Sequence, residues 1–101
     1  MKRIIQQHDD VFIIHIHGDI ELDDSLNLLN LFNGIINSEQ PHIILDLEKC
    51  QYIDSGGLGA LAKGVSQSRQ AKTQFILCNL NDDCREIVSM TRIDRYLNIV
   101  D

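Results

Sequence analysis

Ile43-Ile44-Leu45-Asp46-Leu47 and, a short link later, Asp54-Ser55-Gly56-Gly57-Leu58-Gly59 decide how this chain is read. The first run is nearly continuous, apolar and β-branched, the pattern of a central strand covered on both faces. The second opens a segment in which Leu58, Leu61, Ala62 and Val65 fall at i, i+3, i+4 and i+7, an amphipathic helix starting near Gly57. Ser55 thus stands where a strand gives way to a helix, and Gly56 and Gly57 carry no side chain to shield its hydroxyl. A helix N-terminus offers unpaired N–H groups and a partial positive charge, so the fold would tolerate a phosphate carried on Ser55.

Working outward, Val11 to His17 alternates as a strand, with Phe12, Ile14 and Ile16 on one side and Val11, Ile13, His15 and His17 on the other. Gly18 ends it. Arg3 to Gln7 is a shorter strand candidate, joined to it by the turn-like His8-Asp9-Asp10. The loop Asp19 to Asp24 leads into a helix from Ser25 to Asn37, whose stripe is Leu28, Leu29, Phe32, Ile35 and Ile36 and whose cap is Asp23 or Asp24. Pro41 marks the next loop, and His8 and His42 read as surface loop residues. Downstream, Gln74 to Cys78 is an apolar strand. Leu80 and Asn81-Asp82-Asp83 precede a third helix, in which Cys84, Ile87, Val88 and Thr91 repeat the helical spacing, and Leu97 to Val100 is a last short strand. The order β-β-α-β-α-β-α-β implies an opening hairpin followed by right-handed crossovers. The expected fold is α/β: one domain over residues 1–101, a mixed sheet with helices packed against it.

The 101 residues, 44% hydrophobic and 24% charged, suit one ordinary globular domain with a single core. The net charge of −6, with nine scattered basic residues, argues against nucleic acid as a partner. No apolar run approaches membrane-spanning length, so direct membrane insertion is not expected, and the N-terminus turns polar too soon for a signal peptide. Cys50, Cys78 and Cys84 are odd in number and form no C-x-x-C pair, which reads as free packing thiols in a reducing compartment and a cytoplasmic location.

Taken alone, Ser55 reads as a helix N-cap worth about 1 kcal/mol. Three glycines among the four residues that follow it shift the balance towards a hydroxyl with a bare approach path, which a pure cap does not need. Asp54, as an immediate neighbour, is a solvated or capping carboxylate rather than a base for Ser55. His15 and His17 form an H-x-H pair without a third ligand nearby in sequence, which favours a half-exposed strand face over a metal site. The glycine run lacks the ending of a P-loop, the spacing of G-x-G-x-x-G and the first glycine of G-x-S-x-G. No nucleophile–His–acid arrangement is anchored, so no enzyme, cofactor or metal is expected. The exposed face of the second helix, with Lys63, Ser66 and Gln67, adjoins Ser55 and is an interface candidate.

The element order, the turn Gly18-Asp19-Ile20-Glu21 and the motif Asp54-Ser55-Gly56-Gly57-Leu58-Gly59 resemble the STAS domain, and more narrowly a stand-alone bacterial anti-sigma factor antagonist. The resemblance spans essentially the whole chain, including Leu97-Asn98-Ile99-Val100. It implies partner switching: the unmodified protein binds an anti-sigma factor that is also its serine kinase, phosphorylation of Ser55 releases it, and a serine phosphatase restores it. It makes Ser55 the acceptor, has Gly56, Gly57 and Gly59 shape the turn, and has Leu58 anchor the motif in the core. Asp54, Asp19 and Glu21 join these at the partner face, and Lys63 is added to it by position alone. Two positions depart from the family pattern: Gly56 replaces a frequent Ser or Thr, removing a competing hydroxyl and loosening the turn, and Glu21 replaces Asp. The same resemblance also accommodates a constitutive structural subunit of a membrane transport ATPase or another assembly.

Overall fold

The computed structural model describes residues 1–38, 42–90 and 98–100. Strands β1 (Lys2–His8) and β2 (Val11–His17) form the opening hairpin. A single 3-10 turn, Leu22–Asp24, runs directly into α1 (Ser25–Ile36); then follow β3 (His42–Lys49), α2 (Ser55–Gln70), β4 (Phe75–Cys78), α3 (Asp82–Met90) and β5 (Asn98–Val100). The element order is the expected one. His8 and His42 belong to strand ends rather than loops; His42 Nδ1 accepts the Gln74 N–H at 3.1 Å and so ties β3 to the start of β4. Thr91 and Leu97, counted above in the third helix and last strand, lie outside the described residues.

The sheet is five-stranded in the order β1-β2-β3-β4-β5, antiparallel at β1/β2 and parallel elsewhere. From β2 onward each strand is added one step in the same direction. Right-handed crossovers repeated in one direction put every connecting helix on the same face. Register then sorts the strand residues: Ile14, Leu45 and Leu77 stand side by side facing the helices, and all three are fully buried. Their alternates Ile13, Ile44 and Ile76 line the other face and remain half-exposed. The double-sided cover expected for Ile43–Leu47 is therefore corrected: Ile43, Leu45 and Leu47 are buried, whereas Ile44 and Asp46 are not. Near-continuous apolarity in β3 reflects β-branched residues on an uncovered face as well as core residues.

One cluster unites these strand residues with Leu28, Phe32, Ile35 and Ile36 of α1, Leu58, Leu61 and Val65 of α2, and Cys84 and Val88 of α3. Phe32 meets Phe75 edge-to-face at 5.1 Å. It also lies across Gly64, where an added Cβ would come within 2.6 Å of its ring, so glycine lets α1 and α2 close together. Cys50 and Cys84 are buried in this core, and burial pushes the Cys84 thiol up to about 12. No helix among the described residues is long and apolar enough to cross a membrane.

Candidate functional site

Two chain segments run side by side at one end of the sheet. Ile20 and Ile53 form an isolated parallel bridge, with Ile20 N–H donating to the Tyr52 carbonyl and Asp54 N–H donating to the Ile20 carbonyl, each at 3.0 Å. Both isoleucines are buried, which presses the loop after β2 against the loop before α2. Gly18 permits the path: its φ of 105° lies where side chains are strained, and its N–H reaches the Lys49 carbonyl at 3.0 Å.

Asp54 fastens the corner. Its backbone is extended, and Oδ1 accepts the Gly57 N–H at 2.7 Å, the geometry of a helix N-cap. Oδ2 accepts the Leu22 N–H at 3.0 Å, thirty-two residues away. One carboxylate therefore satisfies a free amide of α2 and holds the 3-10 turn. The turn is closed from its own side as well: Asp24 Oδ2 accepts the Glu21 N–H at 2.8 Å, and Ser25 Oγ donates to the Leu22 carbonyl at 2.7 Å. Asp24 thus caps this turn and makes no side-chain cap bond to α1, which differs from the sequence expectation.

With Asp54 in the capping role, Ser55 is the first residue of α2 rather than its cap. It is exposed, and its hydroxyl has no partner among the described residues. The helix begins two residues earlier than its apolar spacing indicated, because the cap, not the stripe, sets the start.

The glycines serve different ends. A Cβ on Gly56 would lie 2.6–2.7 Å from Cδ1, Cα and Cβ of Leu22, and one on Gly57 would lie 2.7 Å from the Ile20 carbonyl oxygen. These two glycines let the turn lie directly on the helix start. Gly56 is consequently pinned beneath Leu22, not loosened. Gly59 has nothing within 4 Å and no steric part in the turn. Leu58 is buried in the core. Asp19 and Glu21 are exposed on the loop beside Ser55. Lys63 is exposed but eight residues into α2, about 12 Å along the axis, and is not brought to the corner. Gln67 is half-buried rather than part of the exposed helix face. Leu22 was missed from the sequence. Its one signal is that it belongs to neither the apolar stripe of α1 nor a strand.

The histidines lie on the helix-free face of the sheet. His15 Nδ1 stands 2.8 Å from Asp46 Oδ2 and Nε2 stands 2.9 Å from Gln6 Oε1. Asp46 Oδ1 accepts from Asn79 Nδ2 at 2.9 Å and from the Glu48 N–H at 3.0 Å. Burial raises the Asp46 carboxyl, but these bonds outweigh it and hold it below the usual carboxylate range. The chain Gln6–His15–Asp46–Asn79 thereby stitches β1, β2, β3 and the loop after β4. The adjoining cleft, lined by His15, His17, Asp46 and Glu48, measures about 60 Å³, room for a water or two and not for a nucleotide. No group of three or more potential ligands among the described residues is placed to hold a metal ion.

A profile described as the STAS domain matches residues 2–101. The anti-sigma F factor antagonist of Paenibacillus polymyxa is 22% identical over 98 residues, covering 96% of this chain and 84% of that protein. Among solved structures, a Thermotoga maritima protein assigned as an anti-sigma factor antagonist superposes with a TM-score of 0.90 at 23% identity, over 98% of this chain and 86% of that one. The Bacillus cell fate determinant SpoIIAA in its phosphorylated form gives 0.77 at 14% identity, over 99% and 92%. SpoIIAA in its unphosphorylated form gives 0.78 at 15% identity, over 99% and 88%.

Proposed function

Because the chain belongs to the STAS domain family, we propose that it acts as an anti-sigma factor antagonist, binding an anti-sigma factor until Ser55 is phosphorylated. The observation that carries this reading is the exposed Ser55 hydroxyl on the first turn of α2, left without a structural task because Asp54 performs the capping.

The physics of such a switch is local. Phosphorylation adds about 1.5–2 negative charges at one point. The N-terminus of α2 favours an anion there by about 0.3–1 kcal/mol, so the domain itself accepts the group. A docked protein would have to strip water from the dianion, at a cost of several kcal/mol unless a cation meets it. Release then needs no refolding. SpoIIAA has this fold in its unphosphorylated form and in its phosphorylated form, with TM-scores of 0.78 and 0.77 to this chain. The chain contributes a substrate hydroxyl and a binding surface. A serine kinase brings ATP, its metal ion and the base that takes the Ser55 proton, since both Asp54 oxygens are already committed to backbone amides. In this reading the anti-sigma factor is that kinase, and a separate serine phosphatase resets the switch.

The test is to express each serine kinase of the source genome, incubate it with the chain and Mg-ATP, and locate phosphate by mass spectrometry. One kinase should modify Ser55, bind the unmodified chain in the presence of ADP and lose it after modification. Phosphate that persists in Ser55→Ala, or a stable complex indifferent to phosphorylation, would overturn the reading. The latter result would identify a constitutive subunit instead.

A further inference from the structure

We propose that Leu22 and Leu26 are the apolar anchor on which the partner seats beside Ser55, and that their contact is what makes a phosphate there incompatible with binding. This inference rests on the reading of Ser55 given above and names how the site recognises its partner.

Leu22 and Leu26 are 64% and 68% exposed, whereas Ile20, Leu28, Phe32, Ile35 and Ile36 in the same stretch are buried. Leu22 opens the 3-10 turn and Leu26 lies on the first turn of α1, four residues on. Leu22 is not a loose side chain on a mobile loop. Its N–H is held by Asp54, its carbonyl by Ser25 Oγ, and its Cα lies against Gly56, the residue after Ser55. A leucine presented on a backbone fixed from three sides is preorganised for contact, which lowers the entropy lost on binding.

The surroundings identify the occupant. Asp19, Glu21, Asp23 and Asp24 flank Leu22 in the chain, while Arg3 stands on the Leu26 side, its guanidinium donating to the Asn27 carbonyl at 3.5 Å. The patch is therefore an apolar centre whose rim is acidic around Leu22, and there it fits a protein surface with an apolar pocket rimmed by Lys and Arg. A second copy of this chain is disfavoured, because a two-fold contact would set the same carboxylates against each other. An anionic membrane is disfavoured by the same rim and the net charge of −6. The anti-sigma factor of the proposed function is the partner that must reach Ser55, and Leu22 is the apolar group that it meets there.

This arrangement explains how a basic-rimmed partner can reject a phosphate. The cations meet the rim, while the phosphate would fall next to the leucines, where the partner is apolar and water is excluded. Without Leu22 the contact becomes wet, and the charge is tolerated.

The experiment is a double-mutant cycle read by calorimetry, using the kinase identified above with ADP as the probe. Leu22→Ala and Leu26→Ala should each weaken binding of the unphosphorylated chain about tenfold or more, and Leu22→Met should retain it. Phosphorylation should weaken binding at least about a hundredfold in the unsubstituted chain but less than about tenfold in Leu22→Ala. Unchanged thermal unfolding of Leu26→Ala and Leu22→Met guards against a folding artefact. Binding of both alanine variants within twofold of the parent, or an undiminished phosphorylation penalty in Leu22→Ala, overturns the inference and leaves the Ser55 switch standing. Should no kinase modify Ser55 in the parent chain, both fall.

Discussion

The same substitution made three residues apart in α2 should have opposite effects. Gly59→Ala places a methyl where nothing lies within 4 Å, so it should show the ordinary gain of alanine over glycine in a helix, about 0.5–1 kcal/mol. Gly56→Ala places it 2.6–2.7 Å from Cδ1, Cα and Cβ of Leu22, against 3.4–4 Å for ordinary contact, a shortfall of about 0.7 Å (3.4 less 2.7). The Cδ1 atom can swing aside, but the Cα cannot. Moving it stretches the 3.0 Å bond from the Leu22 N–H to Asp54, which also caps the helix. Overpacking of this kind costs about 1–3 kcal/mol against a helix gain of about 0.5–1 kcal/mol, for a net loss of up to about 2.5 kcal/mol. At about 4–8 °C per kcal/mol for a domain of this size, Tm should fall by up to about 20 °C in Gly56→Ala and rise by about 2–8 °C in Gly59→Ala. Calorimetric melts, backed by urea unfolding with an unchanged slope, measure both. A Gly56→Ala protein stabilised like Gly59→Ala would show that the turn does not rest on α2 as described.

Removing the Ser55 hydroxyl by Ser55→Ala should change stability by less than about 0.5 kcal/mol in thermal melts, where loss of a true cap would cost about 1 kcal/mol. Asp54→Ala should cost about 1–3 kcal/mol, since it deprives the Gly57 and Leu22 amides of their acceptor, and hydrogen exchange at both amides should quicken. The Asp46 carboxyl has a folded pKa below its unfolded value of 3.8, so its stabilising contribution is present above that value and is lost as pH falls through the folded pKa. Urea midpoints should drop across that acid window in the parent and drop less in Asp46→Asn. The Cys84 thiol is shifted the other way, from 9.0 to about 12, so stability is undiminished below pH 9 and declines as pH climbs towards 12; Cys84→Ala should flatten that decline. In the folded protein at neutral pH, half-buried Cys78 should react with a thiol reagent before Cys50 and Cys84 do, as mass spectrometry of quenched samples would record.

Local chemistry was legible without coordinates wherever one residue's neighbours in sequence are also its neighbours in space. Alternation in Val11–His17 and the helical spacing of Leu28, Phe32 and Ile35 report a single buried face, because side chains recur at periods of two and 3.6 residues whatever the rest of the chain does. Asp54-Ser55-Gly56-Gly57 marked a helix start for the same reason. Which of Asp54 and Ser55 takes the cap was not readable, since both are good caps, and the choice rests on the Leu22 amide that Asp54 also serves. His15 and Asp46 are likewise thirty-one residues apart, and only the parallel register of β2 and β3 sets them side by side.

What the residue order determined on its own is the succession of elements and the place of a small, unshielded hydroxyl at the head of α2, for propensity and periodicity act over a few residues. Only tertiary packing decided the rest. The one-way growth of the sheet left Ile44 uncovered, the pressing of Ile20 and Leu22 onto Gly57 and Gly56 left no free room for a Cβ at either site, and the capture of two distant amides by Asp54 left Ser55 without a structural task. Each depends on contacts between segments far apart in the chain, whose free energy no local pattern records.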